Sequence, residues 1–211
     1  MTAMNTSAIW RKLLVERRRI VTSGEIRELA ARVGREGDRS LRYLIEHGYI
    51  ARILRGVFYV RSADERERGF MERSTFDLVA EALRLKGVKH WYFGMETALK
   101  LNGMTHEYFA VDSVVTDSFR TTKVIGIFGS RFQFHKWSAD RFGFGSIRKG
   151  SITYSDPEKT VLDMAYRAHR QEKGSPRDII TEHIDRLDRA KLRSHLARYS
   201  KRFQKALGDL P

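Results

Sequence analysis

Residues 20–61 read IVTSGEIRELAARVGREGDRSLRYLIEHGYIARILRGVFYVR, and the periodicity of this stretch decides the fold. Ile26, Leu29, Ala30 and Val33 recur at i, i+3, i+4 and i+7, the spacing that gives a helix one buried stripe. Ser23 stands where the N-cap of that helix is expected. A break containing Gly34 and Gly37 follows. Asp38 then opens a second helix whose apolar set is Leu41, Leu44 and Ile45, and Gly48 ends it. Residues 49–54 change to strand character, Arg55-Gly56 supplies a turn, and residues 57–60 return as a second strand, so the pair reads as a β-hairpin.

Two short helices joined by a tight turn and followed by a hairpin predict a winged helix-turn-helix, a module that reads DNA. The second helix carries that expectation. If Leu41, Leu44 and Ile45 face inward, Arg39, Ser40, Arg42, Tyr43 and Glu46 project outward from the opposite side. Arginine forms bidentate bonds to guanine edges in the major groove, and serine or tyrosine bonds phosphate or base. Arg52 and Arg55 lie on the hairpin, where phosphates or the minor groove would be met. The expected DNA-binding residues are therefore Arg39, Ser40, Arg42, Tyr43, Arg52 and Arg55, and the expected partner is double-stranded DNA. The plainer alternative is a small α+β domain with a solvated basic face. Agreement between charge and topology favours DNA.

Composition bounds the rest of the chain. At 211 residues it can hold one large or two small domains, and two fit the pattern better. The net charge of +14 points to a polyanionic partner, while 41% hydrophobic and 11% aromatic residues exclude a disordered basic tail as the whole explanation. Residues 1–61 hold 13 Lys/Arg against 6 Asp/Glu, and residues 62–211 hold 27 against 20, so the excess is denser at the N-terminal end. The absence of cysteine excludes disulfides and thiolate metal sites. No apolar run approaches the roughly 20 residues that span a bilayer, and the N-terminus has no signal-peptide core. A soluble cytoplasmic protein without membrane contact is expected.

In chain order, residues 1–6 are expected to fray, and a helix capped by Ser7 runs to about Arg19 with Ile9, Leu13 and Leu14 inward. Arg17, Arg18 and Arg19 at its end suit either phosphates or the helix dipole. The polar stretch SADERERG (62–69) reads as an exposed junction, dividing a DNA-binding domain at 1–63 from a second domain at 70–211. Beyond it, residues 71–86 read as a helix closed by Gly87, residues 90–93 as a short strand and residues 96–101 as a helix. Trp91, Tyr92 and Phe93 read as core rather than as a stacking platform for bases. Strands are expected at 109–115, 123–128, 131–137 and 151–154. Ser155 and Glu158 have capping-box spacing for a helix carrying Pro157 in its first turn, and residues 176–207 carry further helical spacing. The fold class is thus α+β: an N-terminal winged helix-turn-helix followed by a C-terminal domain of mostly antiparallel sheet flanked by helices.

Three segments, taken in order, then carry a resemblance: ELAARVGREGDRSLRYLIEHGYIARILRGVFYV (28–60), YFGMETALKLNGM (92–104) and ITYSDPEKTVLDMAY (152–166). They resemble the AbiEi family, the antitoxins of AbiE abortive-infection systems. The arginine-glycine-aromatic turn at 55–59 and the SDPEKTVLD segment at 155–163 are its most specific parts. The resemblance implies an N-terminal winged helix that binds promoter repeats as a transcriptional repressor. It also implies a C-terminal domain that acts as antitoxin against a nucleotidyltransferase toxin, with direct contact between the two proteins not implied. The resemblance is also compatible with a stand-alone member that acts only as a regulator.

A nucleic-acid-processing enzyme, nuclease or nucleotidyltransferase-like, is the competing expectation. A nucleotidyltransferase needs two carboxylates separated by one residue shortly after a Gly-Ser turn, since the pair holds the metal that receives the triphosphate. Gly129-Ser130 is followed by Asp140, but Arg141 and Phe142 come next and the second carboxylate is missing. Asp156, Glu158 and Lys159 have the composition of a nuclease centre and are explained as helix-start residues. The seven histidines show no metal-ligand spacing, His183 reads as a core or flank residue, and Gly143, Gly145 and Gly150 read as hairpin turns. Neither catalytic residue, cofactor nor metal is expected.

Overall fold

The computed structural model describes residues 6–208; of the fraying expected at residues 1–6, residues 1–5 lie outside them, and Thr6 stands as the N-cap residue of the first helix. The chain is α+β and divides between Gly87 and Val88 into two compact units.

The first unit contains α1 (Ser7–Val15), β1 (Ile20–Thr22), α2 (Ser23–Arg32), α3 (Gly37–Glu46), β2 (Ile50–Leu54), β3 (Val57–Val60), α4 (Ala63–Arg68) and α5 (Thr75–Leu85). Its core gathers Ile9, Trp10 and Leu13 of α1, Ile26, Leu29 and Ala30 of α2, Leu44 of α3, and Ile50, Phe58 and Val60 of the sheet. Apolar spacing at the stated period is enough to bring α1, α2 and α3 onto one face. The helix caps differ by a residue or two from expectation. Thr22, not Ser23, caps α2, in a capping box with Glu25. Glu36, not Asp38, caps α3 and accepts from the Asp38 and Arg39 amides. α1 stops at Val15, and the chain reverses through Arg17 at φ 55° before entering a strand the periodicity did not announce.

That strand makes the sheet three-stranded, in the order β1-β3-β2, antiparallel throughout. Ile20 pairs with Tyr59, and Ile50 pairs with Val60 on the other side. All four residues of the central strand β3 are buried. Alternation along a strand sends Phe58 and Val60 to the α1–α3 core and Val57 and Tyr59 to the other face. α5 packs against all three strands of this sheet. Tyr59 donates to Glu65 of α4 at 2.6 Å, and the Glu72 amide donates to the same carboxylate at 2.9 Å. The expected junction at 62–69 is thus a capped helix, and the domain boundary moves from residues 63–70 to Gly87. The reason is physical: a strand apolar on both faces needs cover on both, and α5 supplies the second cover.

The second unit is built on a six-stranded sheet in the order β6-β7-β5-β4-β9-β8. Its strands are β4 (Trp91–Phe93), β5 (Asp112–Thr116), β6 (Ile125–Ile127), β7 (Ser130–Lys136), β8 (Ser146–Lys149) and β9 (Ile152–Ser155). Pairings β4–β5, β6–β7 and β8–β9 are antiparallel, whereas β5–β7 and β4–β9 are parallel. The sheet is therefore mixed. Local hairpins account for two of the antiparallel pairs, and the parallel pairs arise where distant strands meet. α6 (Met95–Leu101), α7 (Pro157–Gln171), α8 (Pro176–His183), α9 (Arg189–Leu196) and α10 (Lys201–Leu207) complete the unit. Val161, Leu162 and Ala165 of α7 pack with Leu99, Ile180, Leu192, Phe203 and Leu207 from the other helices. Trp91, Tyr92 and Phe93 are buried core, as expected. No helix among the described residues is long and apolar enough to cross a membrane.

Candidate nucleic-acid interface

α3 is set by its contact with α2. The Arg27 side chain pairs with Asp38 at 2.8 Å, so Asp38 clamps the two helices together rather than capping one. At Gly37 a Cβ would come within 2.7 Å of Arg27 Cγ and 3.2 Å of its Cα, so glycine is what lets the start of α3 approach α2 this closely. Glu36 already occupies the free amides of Asp38 and Arg39, at the end of α3 where a phosphate would otherwise dock. What α3 offers an anion is therefore its side chains.

Those side chains divide. Arg39 and Arg42 are exposed, and among the described residues neither carries an ion pair. Ser40 is 3% exposed and is not on that face. It precedes Leu44 by four residues and shares its inward side, so the inward stripe runs Ser40, Leu41, Leu44, Ile45, with Leu41 and Ile45 partly buried, and the expectation of an outward hydroxyl is corrected. Tyr43 is half-buried and packs on the core edge, its ring stacked on His47 at 3.9 Å and near Tyr49 at 6.1 Å. Arg66 of α4 lies 3.8 Å from the Tyr49 ring and 5.0 Å from Trp10, extending this aromatic row with a cation. Tyr43 is thus largely a packing residue. On the hairpin, Arg52 and Arg55 are exposed; the Arg52 guanidinium lies 5.8 Å from the Phe58 ring, and Gly56 turns the chain at φ 78°.

Several other arginines of this unit are neutralised within it. Arg18 pairs with Glu25, Arg19 with Glu65 and Glu72, Arg27 with Asp38, and Arg73 with Glu81. Burial pushes Glu65 up, but the hydrogen bonds from Tyr59 and the Glu72 and Ser62 amides outweigh it and hold the carboxyl below its ordinary value. Of the alternatives open for residues 17–19, Arg18 and Arg19 are therefore committed to carboxylates. Glu36, Gly37 and the Arg27–Asp38 pair, which fix the pose of α3, were not singled out by periodicity. A Glu-Gly-Asp run at a helix start is the signal that would have found them.

The second unit holds the segment with nuclease-like composition, and its geometry is inward. Asp156 caps α7 in place of Ser155, because Ser155 still belongs to β9 and Pro157 takes the first helical position. Burial pushes Asp156 up, but His195, the Lys159 amide and Lys191 outweigh it and hold the carboxyl below its ordinary value. Glu158 accepts from the Asp188 amide at 2.9 Å and pairs with Lys191 at 2.9 Å. Lys159, fully buried, reaches Asp163 at 3.3 Å, and Asp163 also accepts from Tyr92 at 2.7 Å and Tyr199 at 2.5 Å. Burial outweighs their mutual attraction, holding Lys159 below its ordinary value and Asp163 above its own. Every one of these carboxylates is engaged by protein donors. No group of three or more His, Asp or Glu side chains arranged to hold a metal occurs among the described residues.

No family model matches the sequence, and no curated protein does. Among solved structures, the chain is similar to the crystal structure of the RV2827C protein from Mycobacterium tuberculosis, with a TM-score of 0.60 at 14% identity over 96% of this chain and 75% of that one. At that identity the likeness is one of fold.

Proposed function

We propose that the first unit is a winged helix-turn-helix that binds duplex DNA, with α3 in the major groove and the β2–β3 hairpin as the wing on the backbone. The observation that carries this reading is the outer face of α3, where Arg39 and Arg42 stand exposed and, among the described residues, without ion pairs, while Arg18, Arg19, Arg27 and Arg73 of the same unit are each held by a carboxylate. The order helix, strand, helix, helix, hairpin supports it, since this arrangement presents the third helix beside a two-stranded ribbon. Arg39 and Arg42 are the base readers, Arg52 and Arg55 meet phosphates, Tyr43 braces the helix, and Ser40 takes no part.

With the AbiEi resemblance, the reading extends to a transcriptional repressor of its own operon that is also the antitoxin of a nucleotidyltransferase toxin. Binding of a labelled duplex from the upstream promoter, measured by fluorescence anisotropy in EDTA, tests the first step. Saturable binding that random duplex competes for poorly, with the DNA left intact, is the expected result. Cleavage of the duplex on adding a divalent metal would favour a processing enzyme instead. Co-expression with the adjacent toxin gene tests the second step, with growth rescue as the expected result.

A further inference from the structure

With the boundary at Gly87, residues 1–87 hold 18 Lys/Arg against 12 Asp/Glu and residues 88–211 hold 22 against 14, so the basic excess is spread almost evenly over both units. DNA binding by the first unit leaves the charge of the second without an account. Part of it converges on one place. A cleft of about 460 Å³ opens between β7, the segment before β6, and the last turns of α7. Eleven residues line it; four are Arg or Lys, and none is Asp or Glu.

The four cations are not equivalent. Arg167 is bound to Glu96 and donates to the Met95 sulfur, so its charge is answered. Arg120, Lys136 and Arg170 are exposed, and among the described residues none has a carboxylate partner. At the cleft wall the Nε2 of His135 is buried and, among the described residues, has no hydrogen-bond partner. Burial, then the Arg167 charge, pulls that imidazole down to about 4 against the opposing pull of Glu96, so it is neutral near pH 7. A buried ring nitrogen without a partner carries a desolvation cost that a bound acceptor would remove.

We propose that this cleft binds a compact oligophosphate anion, either inorganic triphosphate or the phosphate chain of a nucleoside 5′-triphosphate. Arg120, Lys136 and Arg170 neutralise it, and His135 in its Nε2–H form donates to one phosphate oxygen. Two guanidiniums favour a phosphate over a single carboxylate, because their forked donors match its oxygens and three unanswered positive charges call for a ligand of several negative ones. The volume lies within the range of roughly 300–1,000 Å³ typical of small-molecule sites. Convergence of three chain segments on a concavity favours a compact ligand over an extended nucleic-acid backbone.

The test is calorimetric titration of the full-length protein with sodium triphosphate and with ATP, in chloride buffer containing EDTA and free of phosphate and sulfate. One saturable site per chain is expected. The double variant Lys136→Ala/Arg170→Ala should bind triphosphate at least tenfold more weakly with an unchanged melting temperature, since both side chains are exposed. Arg39→Ala/Arg42→Ala should bind it within twofold of the wild type, separating this site from the DNA face. Similar affinities for the two ligands identify the phosphate chain as the whole ligand; ATP tenfold tighter than triphosphate adds a nucleoside subsite. Absence of saturable binding, or equal binding by the Lys136/Arg170 variant, overturns the proposal. So does weakened duplex binding by that variant with triphosphate binding unchanged, which would make the cleft part of a DNA surface.

Discussion

Position 40 separates two kinds of residue on one helix. Ser40 faces inward beside Leu44, whereas Arg39 and Arg42 face solvent one and two residues away. Arg39→Ala or Arg42→Ala is therefore expected to reduce discrimination between operator and random duplex by about 1–3 kcal/mol, while Ser40→Ala leaves it unchanged, as a competition assay will read. Gly37→Ala inverts the usual sign. Replacing a helical glycine by alanine ordinarily stabilises by about 1 kcal/mol. Here the new methyl meets Arg27 at 2.7 Å beside its backbone, so a loss of about 1–3 kcal/mol is expected as a lower urea midpoint at constant slope. His135 gives a pH signature. Its folded value, lowered to about 4 from 6.5, lies below that of the unfolded chain, so the unfolded state takes the proton first. The stability contributed by the neutral ring is complete above pH 6.5 and drains away as pH falls toward 4, up to about 3 kcal/mol. Between pH 7 and 5 the urea midpoint of wild type should fall relative to that of His135→Gln; parallel curves would show that the ring titrates as if solvated.

At the scale of elements, caps connect sequence to packing. Thr22 closes α2 through a reciprocal box with Glu25, and Thr22→Ala should cost about 1 kcal/mol, seen in thermal melting. Asp156 does more than cap α7, since its second oxygen lies 3.0 Å from both His195 and Lys191 on α9. Asp156→Ala removes the cap and the tie between helices together, so it should destabilise more than Thr22→Ala. Because the folded carboxyl titrates below its ordinary 3.8, its contribution is present above that value and is lost as pH falls through the lower folded value. The excess cost of Asp156→Ala should accordingly shrink in strongly acid solution. At Gly145 a Cβ would meet Lys159 at 2.8 Å and His195 at 2.9 Å, so the chain before β8 is seated directly on the first turn of α7.

At the scale of the molecule, the boundary makes a truncation prediction. A fragment of residues 1–65 would uncover the Val57 and Tyr59 face of the first sheet and lose the Glu72 bonds to Glu65 and Arg19. Residues 1–87 keep α5 over that face. The longer fragment should unfold cooperatively and bind duplex DNA, and the shorter should show neither property, by circular dichroism and anisotropy. For the full chain, log affinity for duplex should fall linearly with log salt by about 0.9 per phosphate contacted, and Arg55→Ala should flatten that slope by about one contact.

Apolar periodicity alone determined that α2, α3 and the hairpin exist, because helix and strand periods are local properties of the chain. The α+β class and the core position of residues 91–93 were legible for the same reason. Alternation also carried an unread signal: the unbroken apolar run VFYV at 57–60 already implies cover on both faces, and hence a first unit larger than 63 residues. Which exposed arginines stay unpaired was not legible, since Arg18 and Arg27 look like Arg39 and Arg42 in sequence and differ only in what folds against them. The strand partners of β5 and β9, the inward turn of Ser40 and the gathering of Arg120, His135, Lys136 and Arg170 along one cleft were decided by tertiary structure. Each depends on contacts between residues far apart in the chain, and no local spacing encodes them.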